Sequence, residues 1–157
     1  MRVIIGQSAR RFLSLDSSKP LVLAGLIIPG ELGLMDDSDG DVVLQALCQI
    51  IGSLQGYQKF KQISSDLLEK DAITDSVVLL DHCLALNRGL KISQVSFSIE
   101  AKSAFLLDHL DRMQSNMAHL LKISKDRVMI IPHDSNGLSD VSCGDGISVL
   151  CAVTLEN

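Results

Sequence analysis

The chain has 157 residues, a length that fits about one domain with a real hydrophobic core. Its 46% hydrophobic and 21% charged content is that of a folded globular protein and argues against disorder. A formal charge of −5, with only 3% aromatic residues, argues against binding to a phosphate backbone or to stacked bases.

Val3, Ile4 and Ile5 read as a first strand and the apolar run 21–28 as a second, with a polar turn at 16–19 ahead of Pro20. The N-terminus turns polar too soon for a secretory signal, and no apolar run approaches the ~18 residues of a membrane-spanning helix. Asp39-Gly40-Asp41 opens a helix through Leu54. In it Val43, Leu47, Ile50, Ile51 and Leu54 form one buried stripe, and Asp41, Gln45 and Gln49 a separate polar one. Residues 57–70 carry a weaker helical period in Phe60, Ile63, Leu67 and Leu68. Thr74-Asp75-Ser76 caps a further helix marked by Leu79, Cys83, Leu86 and Leu90, which Gly89 can end in a left-handed turn. The period then changes to two: Val95, Phe97, Ile99 and Ala101 alternate with Ser96, Ser98 and Glu100 as a half-buried strand. Leu106, Leu110, Met113, Met117 and Leu120 restore the helical period. Residues 128–131 read as a buried strand and 132–146 as a polar loop. Ile147, Val149, Cys151, Val153 and Leu155 line the inner face of a last strand, and apolar Leu150 on its other side predicts that the second face is covered by another subunit. The expected architecture is α+β: a two-layer mixed β-sheet with helices on one face, as one unit over residues 1–157.

Cys48, Cys83, Cys143 and Cys151 contain no Cys-x-x-Cys pair and read as reduced core residues of a cytoplasmic protein. No His-x-x-x-His pair announces a metal site, and His82, His109 and His119 read as boundary or surface residues. The loop Pro132-His133-Asp134-Ser135-Asn136-Gly137 sets an imidazole beside a carboxylate and a hydroxyl, a set able to do acid–base or nucleophilic work. The same composition makes a solvated turn, and the turn is the stronger reading. Gly144-Asp145-Gly146 precedes a strand and reads as a tight bend. At the helix mouth formed by Ser38-Asp39-Gly40-Asp41-Val42, the backbone amides either bind an anion or are capped by the carboxylates.

With Leu44 and Ala46-Leu47 after it, Ser38-Asp39-Gly40-Asp41-Val42 resembles the signature of the 2-C-methyl-D-erythritol 2,4-cyclodiphosphate synthase (MECDP synthase) family. Arg2, Gly6-Gln7, Arg11-Phe12-Leu13, Thr74-Asp75-Ser76, Ile99-Glu100-Ala101-Lys102 and Gly144-Asp145-Gly146 fall in the family's order over nearly the whole chain. The resemblance implies the family's trimeric α+β fold with active sites between subunits. It implies a metal-assisted phosphoryl transfer that closes a cytidine diphosphate derivative into a cyclic diphosphate and releases CMP, in non-mevalonate isoprenoid synthesis. It also implies a zinc held by one Asp and two His, and a magnesium that bridges phosphates with help from a Glu.

The positions that match those ligands carry other residues. The family's Asp-x-His is Ser8-Ala9-Arg10 and its helix His is Gln45, so no zinc is expected and Arg10 puts a cation in its place. The Thr-Thr/Ser-x-Glu loop reads His133-Asp134-Ser135-Asn136, so the magnesium Glu is Asn136. No catalytic residue is retained; Asp134 and Asn136 only mark the positions. The substrate loop Gly-Asp-Ile-Gly reads Gln58-Lys59-Phe60-Lys61, the Pro-Lys pair reads Ala104-Phe105, and an Arg that can clamp a prenyl diphosphate in the trimer's axial cavity is Cys143. The family-equivalent substrate positions are Asp37, Ser38, Lys102, Pro132 and His133. Of these, Lys102 and the 131–133 backbone keep the means to hold a cytidine nucleotide. The resemblance therefore implies a cytoplasmic homotrimer without zinc or magnesium, a non-catalytic pseudoenzyme. It acts by binding or by assembly with an unidentified protein, and with neither nucleic acid nor a membrane. The alternative is an active synthase whose metal site is rewired through Asp36, Asp37, His133 or Asp134.

Overall fold

The computed structural model describes residues 1–102 and 104–156, the side chain of Ala104 excepted. In chain order the elements are β1 (Arg2–Arg11), β2 (Pro20–Leu23), β3 (Leu26–Leu32), α1 (Val42–Ser53), α2 (Tyr57–Glu69) and α3 (Ser76–Leu86). They continue with β4 (Ile92–Ala101), α4 (Leu110–Leu121), β5 (Val128–His133) and β6 (Gly146–Leu155). The main sheet has the order β1-β6-β4-β5; β6 lies antiparallel to both its neighbours and β5 runs parallel to β4. Helix α1 packs on β1 and β6, with α2 and α3 beside it, and α4 packs on β5. This is the α+β arrangement, with a mixed sheet, that the alternating periods lead one to expect.

Buried Leu47, Ile50 and Ile51 of α1 meet a sheet core of Phe97, Ile99, Val149 and Val153. Helix and strand approach closely at Gly6, where a Cβ would lie 2.6 Å from the Ala46 carbonyl oxygen and 2.8 Å from Cγ1 of Ile50. A side chain there would push α1 off β1. Because Gly6 lets them touch, Gln45 and Gln49 of α1 reach the strand residues next to it.

Four sequence expectations change. The run 21–28 is two strands, β2 and β3, joined at Ala24-Gly25 with φ of 54° and 75°. Such a two-residue turn with both φ positive is usually announced by Asn-Gly or Asp-Gly. Here distant groups hold it instead: Asp41 accepts hydrogen bonds from the Ala24 and Gly25 amides, and the Asn116 amide donates to the Ala24 carbonyl at 2.7 Å. Strand β5 is buried on one side only, since Met129 and Ile131 are 46% and 53% exposed. It is an edge strand of the sheet. Cys143 is exposed, whereas Cys48, Cys83 and Cys151 are buried as expected, and all four are free thiols. Leu106 also falls in a short tight turn, Ala104–Asp108, ahead of α4.

The sheet's outer face is open in one chain. Val3, Ile5, Leu150, Met129 and Ile131 lie on it, and the pairing places Gln7, Leu150, Ser98 and Ile131 in one row across the four strands. Among the described residues no helix is long and apolar enough to cross a membrane.

Candidate functional site

Strand alternation sends Ser8 and Arg10 to the face of β1 that also carries Gly6. Gln45 and Gln49, one turn apart on α1, point to the same place. Together with Asp36, Ser38 and residues of α2 and α3 they line a cavity of about 440 Å³. Inside it a continuous chain of hydrogen bonds runs from strand to helix to loop. The Ser8 hydroxyl donates to Gln45 Oε1 at 3.0 Å, and Gln45 Nε2 donates to Ser38 Oγ at 3.1 Å. The Ser38 hydroxyl and amide both donate to Asp36 Oδ1, at 2.7 and 2.8 Å. The other Asp36 oxygen accepts from Arg10 Nε. Burial would raise the Asp36 carboxyl, but the Ser38 amide and hydroxyl and the Arg10 guanidinium outweigh it and hold the carboxyl at about 2.

The two carboxylates beside this chain have backbone work. Asp41 is fully buried; Oδ1 accepts the amides of Val43, Leu44 and Ala24 at 3.0–3.1 Å, and Oδ2 accepts Gly25 at 2.7 Å. Burial pushes its pKa up to about 7, the nearby Asp39 charge adds to that, and the amides pull the other way. Asp39 accepts from the Ser76 amide at 2.8 Å and the Ser76 hydroxyl at 2.5 Å, fixing the start of α3 to the start of α1. The helix mouth is therefore capped from within. Of the two alternatives for its amides, anion binding and capping, capping is the one realised, because Asp41 occupies those of Val43 and Leu44.

The other predicted positions lie at the far ends of β4 and β5 and do not line this cavity: Lys102, Pro132, His133, Asp134 and Asn136. Nor does Asp37, which is exposed. His133 pairs with Glu100 across the strands, yet the Ser135 hydroxyl donates to Glu100 at 2.6 Å and not to the imidazole. Ser139 donates to the same Glu100 oxygen at 2.5 Å, and the Asn136 amide donates to Asp134 Oδ1 at 2.7 Å. That is a solvated Asx turn tied down by a carboxylate, without the relay a nucleophilic serine needs.

Residues 1–156 match the family model described as YgbB family. The chain belongs to the YgbB family. It is 37% identical over 155 residues to the 2-C-methyl-D-erythritol 2,4-cyclodiphosphate synthase of Chlamydia felis, covering 98% of this chain and 88% of that protein. The same enzyme of Chlamydia caviae matches to the same extent, at 37% identity over 98% and 88% of the two chains. Among solved structures, a 2C-methyl-D-erythritol-2,4-cyclodiphosphate synthase in a CDP-bound form superposes with a TM-score of 0.84 at 25% identity, covering 99% of this chain and 100% of that one.

In this YgbB-family chain the residues at the expected zinc positions do not fit the metal. Ser8 offers a hydroxyl, Gln45 an amide oxygen and Arg10 a cation, whereas zinc takes thiolate, imidazole and carboxylate. Among the described residues no three His, Cys, Asp or Glu side chains converge on one point. The structure adds residues to the site that the family motif does not single out. Gln49 Oε1 accepts the Gln7 amide at 3.0 Å, and its i, i+4 spacing from Gln45 is the signal that places it there. Phe60, Leu67, Leu68, Ile73 and Leu79 form the opposite, apolar wall.

Proposed function

We propose that this YgbB-family chain no longer runs the cyclisation its relatives are named for. It acts as a cytoplasmic homotrimer, one unit over residues 1–157, through binding or assembly. Its free thiols suit a reducing compartment. The observation that carries the reading is the hydrogen-bond chain Arg10–Asp36–Ser38–Gln45–Ser8. Ser8 bonds Gln45, Gln45 bonds Ser38 and Arg10 pairs with Asp36, so each of the three family metal positions is engaged within the chain. Joining phosphates requires their like charges to be offset where they meet. Losing a single electrostatic stabiliser costs about 10²–10³ in rate. Here Ser8, Arg10, Gln45 and Asn136 all depart from the pattern at once.

The test is CMP release from the cytidine diphosphate substrate with zinc and magnesium supplied, and the Chlamydia felis relative as positive control. The expected rate is below about one hundredth of that control. Faster turnover supports the second reading, an active synthase with a rewired site, which the 37% identity to that enzyme favours. Asp36→Ala and His133→Ala then separate the two ends of the molecule as replacement sites.

The trimer is supported by the outer face of the sheet, where Val3, Ile5, Leu150, Met129 and Ile131 are between 40% and 64% exposed. Closing three copies around an axis covers such faces. Light scattering on a sizing column is expected to give about three times the 17.0 kDa chain mass. A stable monomer at micromolar concentration contradicts it.

A further inference from the structure

We propose that the cavity between β1, α1, α2 and α3 binds an uncharged small molecule with hydroxyl or amide groups at one end and an apolar body at the other. The inference rests on the reading that metal-dependent chemistry is gone from this site, and it names what the site takes instead.

Size is the first argument. A volume of about 440 Å³ lies within the range of small-molecule pockets. It holds about fifteen waters at liquid density, and so a ligand on the order of ten to fifteen non-hydrogen atoms.

Charge is the second. The lining holds one cation, Arg10, against two carboxylates, Asp36 and Asp75. Arg10 is already paired with Asp36. Among the described residues the Asp75 carboxylate accepts only the Val77 amide, at 2.8 Å, and its charge is left without a cation among the lining residues. A diphosphate entering here meets a net negative wall with no metal ligands to recruit an offset.

The third argument is the unused hydrogen-bonding capacity. Ser38 takes only one Gln45 Nε2 hydrogen. Gln49 uses its oxygen on Gln7, and its amino group has no partner among the described residues. The Ser8 hydroxyl donates to Gln45 and keeps its lone pairs. Two amide donors and a hydroxyl acceptor match an alcohol or a carboxamide, each of which donates and accepts.

The fourth is the apolar wall. Helix α2 has a strongly apolar side, yet of its residues only Leu67 is buried. Phe60 and Leu68 stay half-buried and line the cavity. An apolar ligand body completes packing that the chain leaves unfinished.

The experiment follows nitrogen-15 spectra of the full-length protein, in which the side-chain amides of Gln45 and Gln49 report directly. Benzyl alcohol and benzamide are the uncharged probes; inorganic pyrophosphate and CDP are the anionic ones. At about 1 mM, at least one uncharged probe is expected to shift both glutamine side chains and the Ser64 and Leu68 backbone amides saturably. Ser64→Phe, which fills the cavity from α2, should remove those shifts, and Leu68→Trp on the same wall should do so independently. Pyrophosphate should leave the wild type unmoved and shift Asp36→Ala, where Arg10 loses its partner. Three results overturn the proposal: no saturable shift with either uncharged probe, shifts that survive both filling variants, or anions binding the wild-type cavity as well as the uncharged probes. CMP release measured on the same sample keeps the two readings apart. Turnover defeats the loss of catalysis, while the shifts alone decide the ligand class.

Discussion

Ser8→Asp, Arg10→His and Gln45→His, introduced together, are expected to give this chain a zinc site filled to roughly one ion per chain, where the unaltered chain takes up far less. The geometry for this exists. Ser8 Oγ and Gln45 Oε1 stand 3.0 Å apart, close to the ~3.3 Å between neighbouring ligand atoms of a tetrahedral zinc at ~2.0–2.1 Å bond lengths. Arg10 shares the inner face of β1 two residues on, so its replacement enters the same space. Removing the guanidinium also frees Asp36, and an unpaired carboxylate at the site favours a cation. Affinity at least about a hundredfold above the unaltered chain is the expected gain, read by titration with a competing chelator and by metal content after gel filtration. Gln45→His alone should recover little, because one imidazole beside a guanidinium is not a site. If the triple variant binds no more zinc than the starting chain, β1 and α1 are not in the family's register at these positions, and the proposed loss of function loses its footing.

How far the site is legible in the sequence depends on whether a contact is periodic or not. The pair Ser8 and Arg10 at i, i+2, and the pair Gln45 and Gln49 at i, i+4, define faces, and faces follow from strand and helix geometry alone. The α1 stripe and the alternation in β4 are legible for the same reason: burial repeats with the element's own period. Closure between distant segments has no such signal. That Asp36 takes Arg10 depends on how the loop after β3 is drawn in, with the Lys19 ammonium donating to the carbonyls of Leu34 and Asp36 at 3.0 and 2.8 Å. The hairpin at Ala24-Gly25 is invisible because its turn is held by Asp41 and Asn116 and not by its own residues. The edge position of β5 is likewise a fact of sheet order, since Val128, Met129, Ile130 and Ile131 read the same whether one side is covered or both.

The family signature divides along the same line. Its carboxylates Asp39 and Asp41 hold backbone amides of α1, α3 and the β2–β3 turn. Ser8, Arg10 and Gln45, the positions at which the proposed reading places the lost metal, touch the rest of the chain mainly through side-chain groups around one cavity. A chain can exchange the second kind and still fold; it cannot easily exchange the first.

Asp41→Ala is accordingly expected to be far more damaging to the fold than any substitution at Ser8, Arg10 or Gln45. It strips the acceptor from four backbone amides, those of Ala24, Val43 and Leu44, which have no solvent exposure, and that of half-buried Gly25. Each buried donor left without a partner costs about 1–3 kcal/mol, and partial relaxation keeps the four from adding fully, so about 4–6 kcal/mol is expected. In a chain of this size that lowers the melting temperature by roughly 10–20 °C. Asp41→Asn keeps the shape but turns an amino group toward donors, and should fall between Ala and wild type. The control is Asp75→Ala, an exposed cap that holds the single Val77 amide at 2.8 Å and should cost only about 1 kcal/mol. Thermal melts by circular dichroism decide the order. Should Asp41→Ala melt within about 5 °C of wild type, water or loop movement has supplied the missing acceptors, and the buried carboxylate is not what pins α1 to the hairpin turn.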